Sequence, residues 1–189
     1  MDEGYANKLS FLDMVSYEAG KMEQYISIMI YSVVGFFLPF VLSHTTQQLI
    51  VGSIVNLMIV MAAFHLKKWE AMPLMILPTI GVISAGALFG TFTKYLLYMM
   101  PFIWVGNFLL FAGVKKLYVE KKKNYALALP IAAIVKTALL FAVAFIFVSM
   151  GLMPSIFLTA MGIVQLVTAL IGGIVAFGYL KAREMAVKN

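Results

Sequence analysis

The chain of 189 residues contains no cysteine and few charged side chains. Without cysteine it cannot form a disulfide, a thiolate metal site or a cysteine nucleophile. Charged residues make up 12% of the chain and apolar residues 63%, whereas soluble domains are about 25% charged and about 45–50% apolar. A water-soluble fold of this composition would expose large apolar patches, which promote aggregation. The composition excludes a soluble globular protein, a disordered tail and a nucleic-acid binder, and it predicts an all-α integral membrane protein.

Six apolar segments approach or exceed the roughly 20 residues that a membrane-spanning helix needs. We therefore predict a six-helix transmembrane domain over residues 25–180, preceded by an interfacial segment over 1–24 and followed by a basic cytoplasmic tail over 181–189. Within the first segment, apolar residues recur at helical spacing over 9–24, which indicates an amphipathic N-terminal helix at the membrane surface or an extension of the first span. The six predicted spans are 25–42, 48–66, 71–91, 95–114, 125–150 and 154–180.

Most of the positive charge lies in three short clusters, at Lys67–Lys68, Lys115–Lys123 and Lys181–Lys188. Loops that remain in the cytoplasm carry an excess of lysine and arginine. The loops after the first and fifth spans hold no charged residue. This alternation predicts that both termini are cytoplasmic.

Small residues indicate where helices approach one another closely. Gly86 and Gly90 form a GxxxG motif within the third predicted span, where we expect internal helix packing. Gly35 on the first predicted span is expected to lie on an outer face that a partner could contact.

Familiar active-site motifs are missing. The sequence has no HExxH, no P-loop, no Gly-x-Ser-x-Gly and no paired carboxylates within an apolar segment. His44 and His65 fall at opposite membrane faces in the predicted topology, so a two-histidine metal or haem site is not expected. We expect neither enzymatic activity nor a metal or other cofactor.

Lys136 is the most informative charge because it lies near the middle of the fifth predicted span. A lysine at that depth costs about 2.5–3.5 kcal/mol on insertion scales, and such residues usually face a cavity or a partner. No Asp or Glu lies within the predicted spans. Either polar side chains solvate the ammonium, or an anionic ligand pairs with it. Helical rise places Asn107, Gln165 and Thr168 at a similar depth.

A second candidate site involves Lys94, near the predicted outer membrane face, with Tyr98 and the deeper Trp104. A cationic pocket lined by aromatic rings would suit an anionic or aromatic small molecule. The alternative is an interfacial aromatic belt with a snorkelling lysine. The candidate substrate-binding residues are Lys94, Tyr98, Trp104, Asn107, Lys136 and Gln165.

The stretches 77–90, 101–110 and 132–136, within six spans and cytoplasmic termini, resemble the substrate-binding S component of energy-coupling-factor vitamin transporters. The resemblance implies a subunit of the cytoplasmic membrane that captures a small solute from outside. Its partners would then be that solute, the lipid bilayer, a transmembrane coupling subunit and ATPase subunits, with no nucleic acid. The alternatives are a structural or assembly subunit of a membrane complex and a self-sufficient small channel or carrier.

The topology prediction can be checked with reporter fusions. Reporters inserted at Thr46 and Gly151 should signal the outer side of the membrane, because both positions lie in loops without charge, and a reporter at Lys122 should signal the cytoplasm. A cytoplasmic signal at either of the first two positions would contradict the six-span arrangement.

Overall fold

The computed structural model describes residues 21–44 and 48–188, with side chains at 25–44 and 48–186. The predicted amphipathic helix over 9–24 lies outside the described residues, except that its last four residues begin the first helix. No strand occurs in the described ranges, and the fold is all-helical. The helices are α1 (Lys21–Leu42), α2 (Gln48–His65), α3 (Met72–Ala85), a 3₁₀-helix (Gly90–Tyr95), α4 (Leu96–Val114) continued by a π-helix (Lys115–Glu120), α5 (Tyr125–Ser149), α6 (Ile156–Met161) and α7 (Ile163–Lys188).

Within residues 21–44 and 48–188, five helical segments are long and apolar enough to cross a membrane, which confirms the prediction of a multi-pass helical membrane protein. The third predicted span is shorter, because the 14 residues of α3 extend only about 21 Å at 1.5 Å per residue. The hydrocarbon core of a bilayer is about 30 Å thick. The five segments are Tyr25–Leu42, Gln48–His65, Gly90–Glu120, Tyr125–Ser149 and Ile156–Ala186.

The third predicted span, 71–91, is wrong at its end. The helix stops at Ala85 because Gly86 adopts a φ of +67° and caps it, and Gly90 follows with a φ of +55°. Glycine adopts this left-handed conformation without steric cost, whereas other residues do not. A Cβ on either glycine would meet no atom within 4 Å. The GxxxG motif therefore forms a turn at the end of a helix, and the expected helix packing at Gly86 is wrong.

The expectation for Gly35 is also wrong. A Cβ at this position would lie 2.9 Å from Cδ1 of Leu74, so Gly35 faces α3 inside the bundle. On the other side of the same contact, a Cβ at Gly81 of α3 would collide with the backbone carbonyl of Phe36. Because neither glycine has a side chain, α1 and α3 can pack closely against each other.

The helices form a closed ring in the order α1, α3, α4, α5, α7 and α2, and α2 also contacts α4 across the ring. Helix α7 continues into the predicted basic tail over 181–189 and ends at Lys188. The sixth predicted span is two helices, because the backbone breaks at Gly162 between α6 and α7.

The buried apolar side chains form two clusters, one above the other along the bundle. The first includes Ile59, Phe111 and Ala133 and lies toward the ends of the helices that carry the basic loops. The second includes Val51, Met99 and Leu140 and lies toward the opposite ends. Each of these three helices contributes to both clusters, one toward each end of the helix. The middle of the helices therefore forms a layer between the two clusters.

Close backbone contact between α2 and α7 depends on Gly172. A Cβ on Gly172 would lie 2.5 Å from both the carbonyl oxygen of Ser53 and the amide nitrogen of Leu57. We expect Gly172→Ala to lower the free energy of unfolding by about 1–3 kcal/mol, since backbone atoms cannot rotate out of the way. Equilibrium unfolding in mixed micelles measures the effect.

Gly178→Ala is the matched control on the same helix, because a Cβ at this position would meet no heavy atom within 4 Å. It should leave stability unchanged or slightly higher. Equal destabilisation by the two substitutions would contradict a specific role of the α2–α7 contact at Gly172, because helix propensity favours alanine over glycine at both positions.

Candidate functional site

The buried ammonium of Lys136 lies in the layer between the two apolar clusters. Lys136 is in the middle of α5, between Ala133 of the first cluster and Leu140 of the second. Only 2% of the residue is exposed. Its position on the inward face of α5 is set by Ala132, Ala133 and Leu140, which are also buried.

Two asparagine side chains accept hydrogen bonds from this ammonium. Lys136 Nζ donates to Oδ1 of Asn56 on α2 at 2.6 Å and to Oδ1 of Asn107 on α4 at 3.0 Å. Both asparagines are buried. The solvation of Lys136 by polar side chains, one of the two explanations offered by the sequence, is therefore present in the structure.

Each asparagine is held in place through its amide nitrogen. Asn56 Nδ2 donates to Oγ1 of Thr168 at 3.1 Å, and Thr168 donates in turn to the backbone carbonyl of Gln165 at 3.1 Å. Asn107 Nδ2 donates to the backbone carbonyl of Met75 at 3.0 Å. Because the nitrogens are engaged elsewhere, both carbonyl oxygens point to Lys136. The network joins α2, α3, α4, α5 and α7.

A cavity of about 80 Å³ adjoins this layer. It extends from Lys136, Asn56 and Asn107 toward the helix ends opposite the basic loops, where α2 and α4 begin. Most of the wall is apolar, and a few polar groups converge on it, as in small-molecule sites. The lining residues are Gln48, Val51, Gly52, Val55, Asn56, Pro78, Thr79, Val82, Leu88, Phe89, Leu96, Ile103, Asn107, Lys136, Met161 and Gln165.

Contacts between the α3–α4 connection and α6 cover the far end of the cavity. The rings of Phe89 and Phe157 lie 5.3 Å apart between centroids. Gln48 Nε2 donates to the backbone carbonyl of Ala160 at 3.2 Å, which ties the start of α2 to α6. The helix ending at Gly86 is what allows Leu88 and Phe89 to turn across the bundle.

Three of the six predicted site residues line this cavity: Asn107, Lys136 and Gln165. The structure places the other three elsewhere. Lys94 is exposed, with Nζ 5.4 Å from the centroid of the Tyr95 ring, and Tyr98 is 54% exposed. Trp104 lines a separate groove between α3 and α4.

Asn56 is the hydrogen-bond partner of Lys136 that the sequence reasoning missed. It is one of two amides in α2, eight residues after Gln48 at the start of the helix. At about 1.5 Å per residue this is about 12 Å from the helix end, near the middle of the membrane. The depth argument that selected Asn107 would have selected Asn56 had it been applied to the second span.

The arrangement places Nζ of Lys136, held by two amide oxygens, on the wall of an otherwise mostly apolar cavity. An ammonium has three donors, and two of those on Lys136 go to the asparagines. No Asp or Glu occurs between residues 24 and 69, 71 and 119, or 121 and 183, so no carboxylate of these helices pairs with the lysine. The described residues contain no group of three His, Cys, Asp or Glu side chains that could hold a metal ion.

Comparison with known proteins gives no relative: no family model matches the sequence, and neither the curated proteins nor the solved structures include a significant match.

The hydrogen bond between Lys136 and Asn56 should appear as an energetic coupling. Asn56→Leu removes one of the two acceptors of a buried ammonium, so it should destabilise the protein strongly. The same substitution in a Lys136→Met background should cost less, and we expect a coupling of about 1–2 kcal/mol. Equilibrium unfolding of the wild type, both single variants and the double variant measures it.

Lys94→Met is the control, since this exposed lysine lies outside the network. Its effect should add to that of Asn56→Leu without coupling. If the effects of Asn56→Leu and Lys136→Met also proved additive, this result would contradict a stabilising contact between Asn56 and Lys136.

Proposed function

We propose that this protein is the membrane-embedded substrate-binding subunit of an uptake transporter and that it captures a small anion from outside the cell. Separate coupling and ATPase subunits would supply the energy. The resemblance of residues 77–90, 101–110 and 132–136 to S components of energy-coupling-factor transporters supports this division of labour. So does the lack of any nucleotide-binding motif in the chain.

The buried ammonium beside a cavity is the observation that carries the proposal. Lys136 lies within a low-polarity region, and its two partners are neutral amides. Amide oxygens solvate a positive charge but do not neutralise it. An anion in the cavity would supply the missing charge, and the third donor of the ammonium would bind it directly. Gln165 and Thr79, also on the cavity wall, would bind further polar groups of the solute.

The size of the cavity limits the solute. A volume of about 80 Å³ corresponds to roughly three water molecules at about 30 Å³ each. A short-chain carboxylate or an anion of similar size fits this space. A solute the size of an aromatic vitamin would need the contacts of Phe89 and Gln48 with α6 to open.

The direction of uptake follows from the charge distribution. The cavity lies at the helix ends opposite the basic loops, and basic loops remain in the cytoplasm. We therefore propose six membrane crossings with both termini cytoplasmic, in the cytoplasmic membrane, with the cavity on the outer half. The short α3 would complete its crossing through the residues that follow Gly86.

Removal of the charge tests the proposal directly. The wild-type protein, purified in mild detergent, should release a small anion in stoichiometric amount, which mass spectrometry identifies. Lys136→Met keeps the length of the side chain and removes the charge. We expect this variant to fold and to bind the same anion at least tenfold more weakly, or by about 1.4 kcal/mol.

Lys116→Met is the matched control, because it removes the same charge from an exposed position outside the cavity. It should retain the anion at wild-type affinity. Wild-type affinity in Lys136→Met would show that the lysine is purely structural, and co-purified protein subunits without any small molecule would favour the assembly-subunit alternative.

A further inference from the structure

A second concave site lies on the outside of the bundle, between α3 and α4. This groove has a volume of about 530 Å³ and is distinct from the cavity beside Lys136. Apart from one lysine at its rim, its wall consists of large apolar and aromatic side chains. Val105 on this wall is 49% exposed. In a bilayer the groove faces lipid, because it opens away from the centre of the bundle.

The rim of the groove carries a positive charge at the level of the membrane surface. Lys68 Nζ lies 5.1 Å from the centroid of the Phe108 ring and 5.5 Å from that of Trp69. Lys68 forms no ion pair within the described ranges. Trp69 is 75% exposed, and exposed tryptophan is typical of the membrane–water interface.

From this rim the groove extends into the hydrocarbon region. Phe108 and Pro101 both line it, and they are seven residues apart on α4. At 1.5 Å per residue this corresponds to about 10 Å along the helix, or about one third of the hydrocarbon core. Pro101 has no N–H for the carbonyl four residues earlier, which weakens the helix where the groove ends.

We propose that this groove binds an anionic phospholipid from the leaflet that contacts the Lys67–Lys68 loop, with its phosphate at Lys68 and an acyl chain between α3 and α4. An unneutralised lysine at the rim and an apolar wall below it match a charged headgroup followed by a hydrocarbon chain. Basic residues between helices on the cytoplasmic side attract anionic headgroups in this manner.

A transmembrane helix of another protein fits the groove less well. Helices associate in membranes through small residues that let their backbones approach. No glycine, alanine or serine lines this groove, whose wall includes Trp69, Trp104 and Phe108.

Lipid retention in native mass spectrometry tests the proposal. The full chain is reconstituted into nanodiscs of phosphatidylglycerol and phosphatidylcholine in equal parts, then transferred to detergent. Wild-type protein should retain one phosphatidylglycerol, preferred about fivefold over phosphatidylcholine, the factor expected for one lysine at an anionic surface. Lys68→Gln should abolish this preference.

Two further variants distinguish the contribution of the Lys68 charge to lipid binding from that of the apolar groove. Lys116→Gln removes another exposed lysine near the same membrane face and should keep the preference. Val105→Trp fills the groove at a half-exposed position and should remove the retained lipid whatever its headgroup. The proposal is wrong if Lys68→Gln keeps the preference for phosphatidylglycerol, if Val105→Trp retains the lipid as the wild type does, or if the retained species is a second protein chain.

Discussion

A buried positive charge without a carboxylate partner is the constraint on which the core of this protein depends. The ammonium of Lys136 lies where an unsolvated charge is costly, and Asn56 and Asn107 each supply an oxygen to it. Those oxygens point inward only because Thr168 and the carbonyl of Met75 accept the amide hydrogens. The apolar core is consequently split into two clusters, and a cavity lies beside the polar layer that separates them.

Close contact between helices positions the residues of this polar layer. Gly172 lies four residues after Thr168 on α7, and its lack of a side chain lets α7 reach the backbone of α2 at Ser53 and Leu57. Asn56 lies between those two positions, so the same contact brings Asn56 to Thr168. A helix pair held further apart would leave Asn56 without its anchor and Lys136 with one acceptor fewer. Packing and polar chemistry are therefore coupled at Gly172.

Much of the fold could be predicted from the sequence because the bilayer imposes simple rules. Apolar length identified the helices, and the depth of Lys136, Asn107 and Thr168 followed from helical rise. The end of α3 could not be predicted in the same way, since Gly86 fits a helix interface and a left-handed cap equally well by composition.

The candidate site could be predicted in part. The depth in the membrane predicted for Lys94, Tyr98 and Trp104 is compatible with a binding site. Depth alone, however, does not give the direction in which a side chain points. The structure puts Lys94 and Tyr98 on the surface and Trp104 at the groove between α3 and α4. The rotation of each helix about its axis depends on packing partners distant in sequence, such as Gly81 with Phe36. Local sequence carries little information about those partners.

The central claim is that a bound anion neutralises the charge of Lys136. Comparing the binding of an anion with that of its uncharged analogue tests this claim most directly. The anion recovered from the purified protein and its uncharged amide analogue are titrated into the wild type and into Lys136→Met. The wild type should prefer the anion by at least tenfold, or about 1.4 kcal/mol, and the variant should show no preference. The same preference in both proteins, or none in the wild type, would contradict the account.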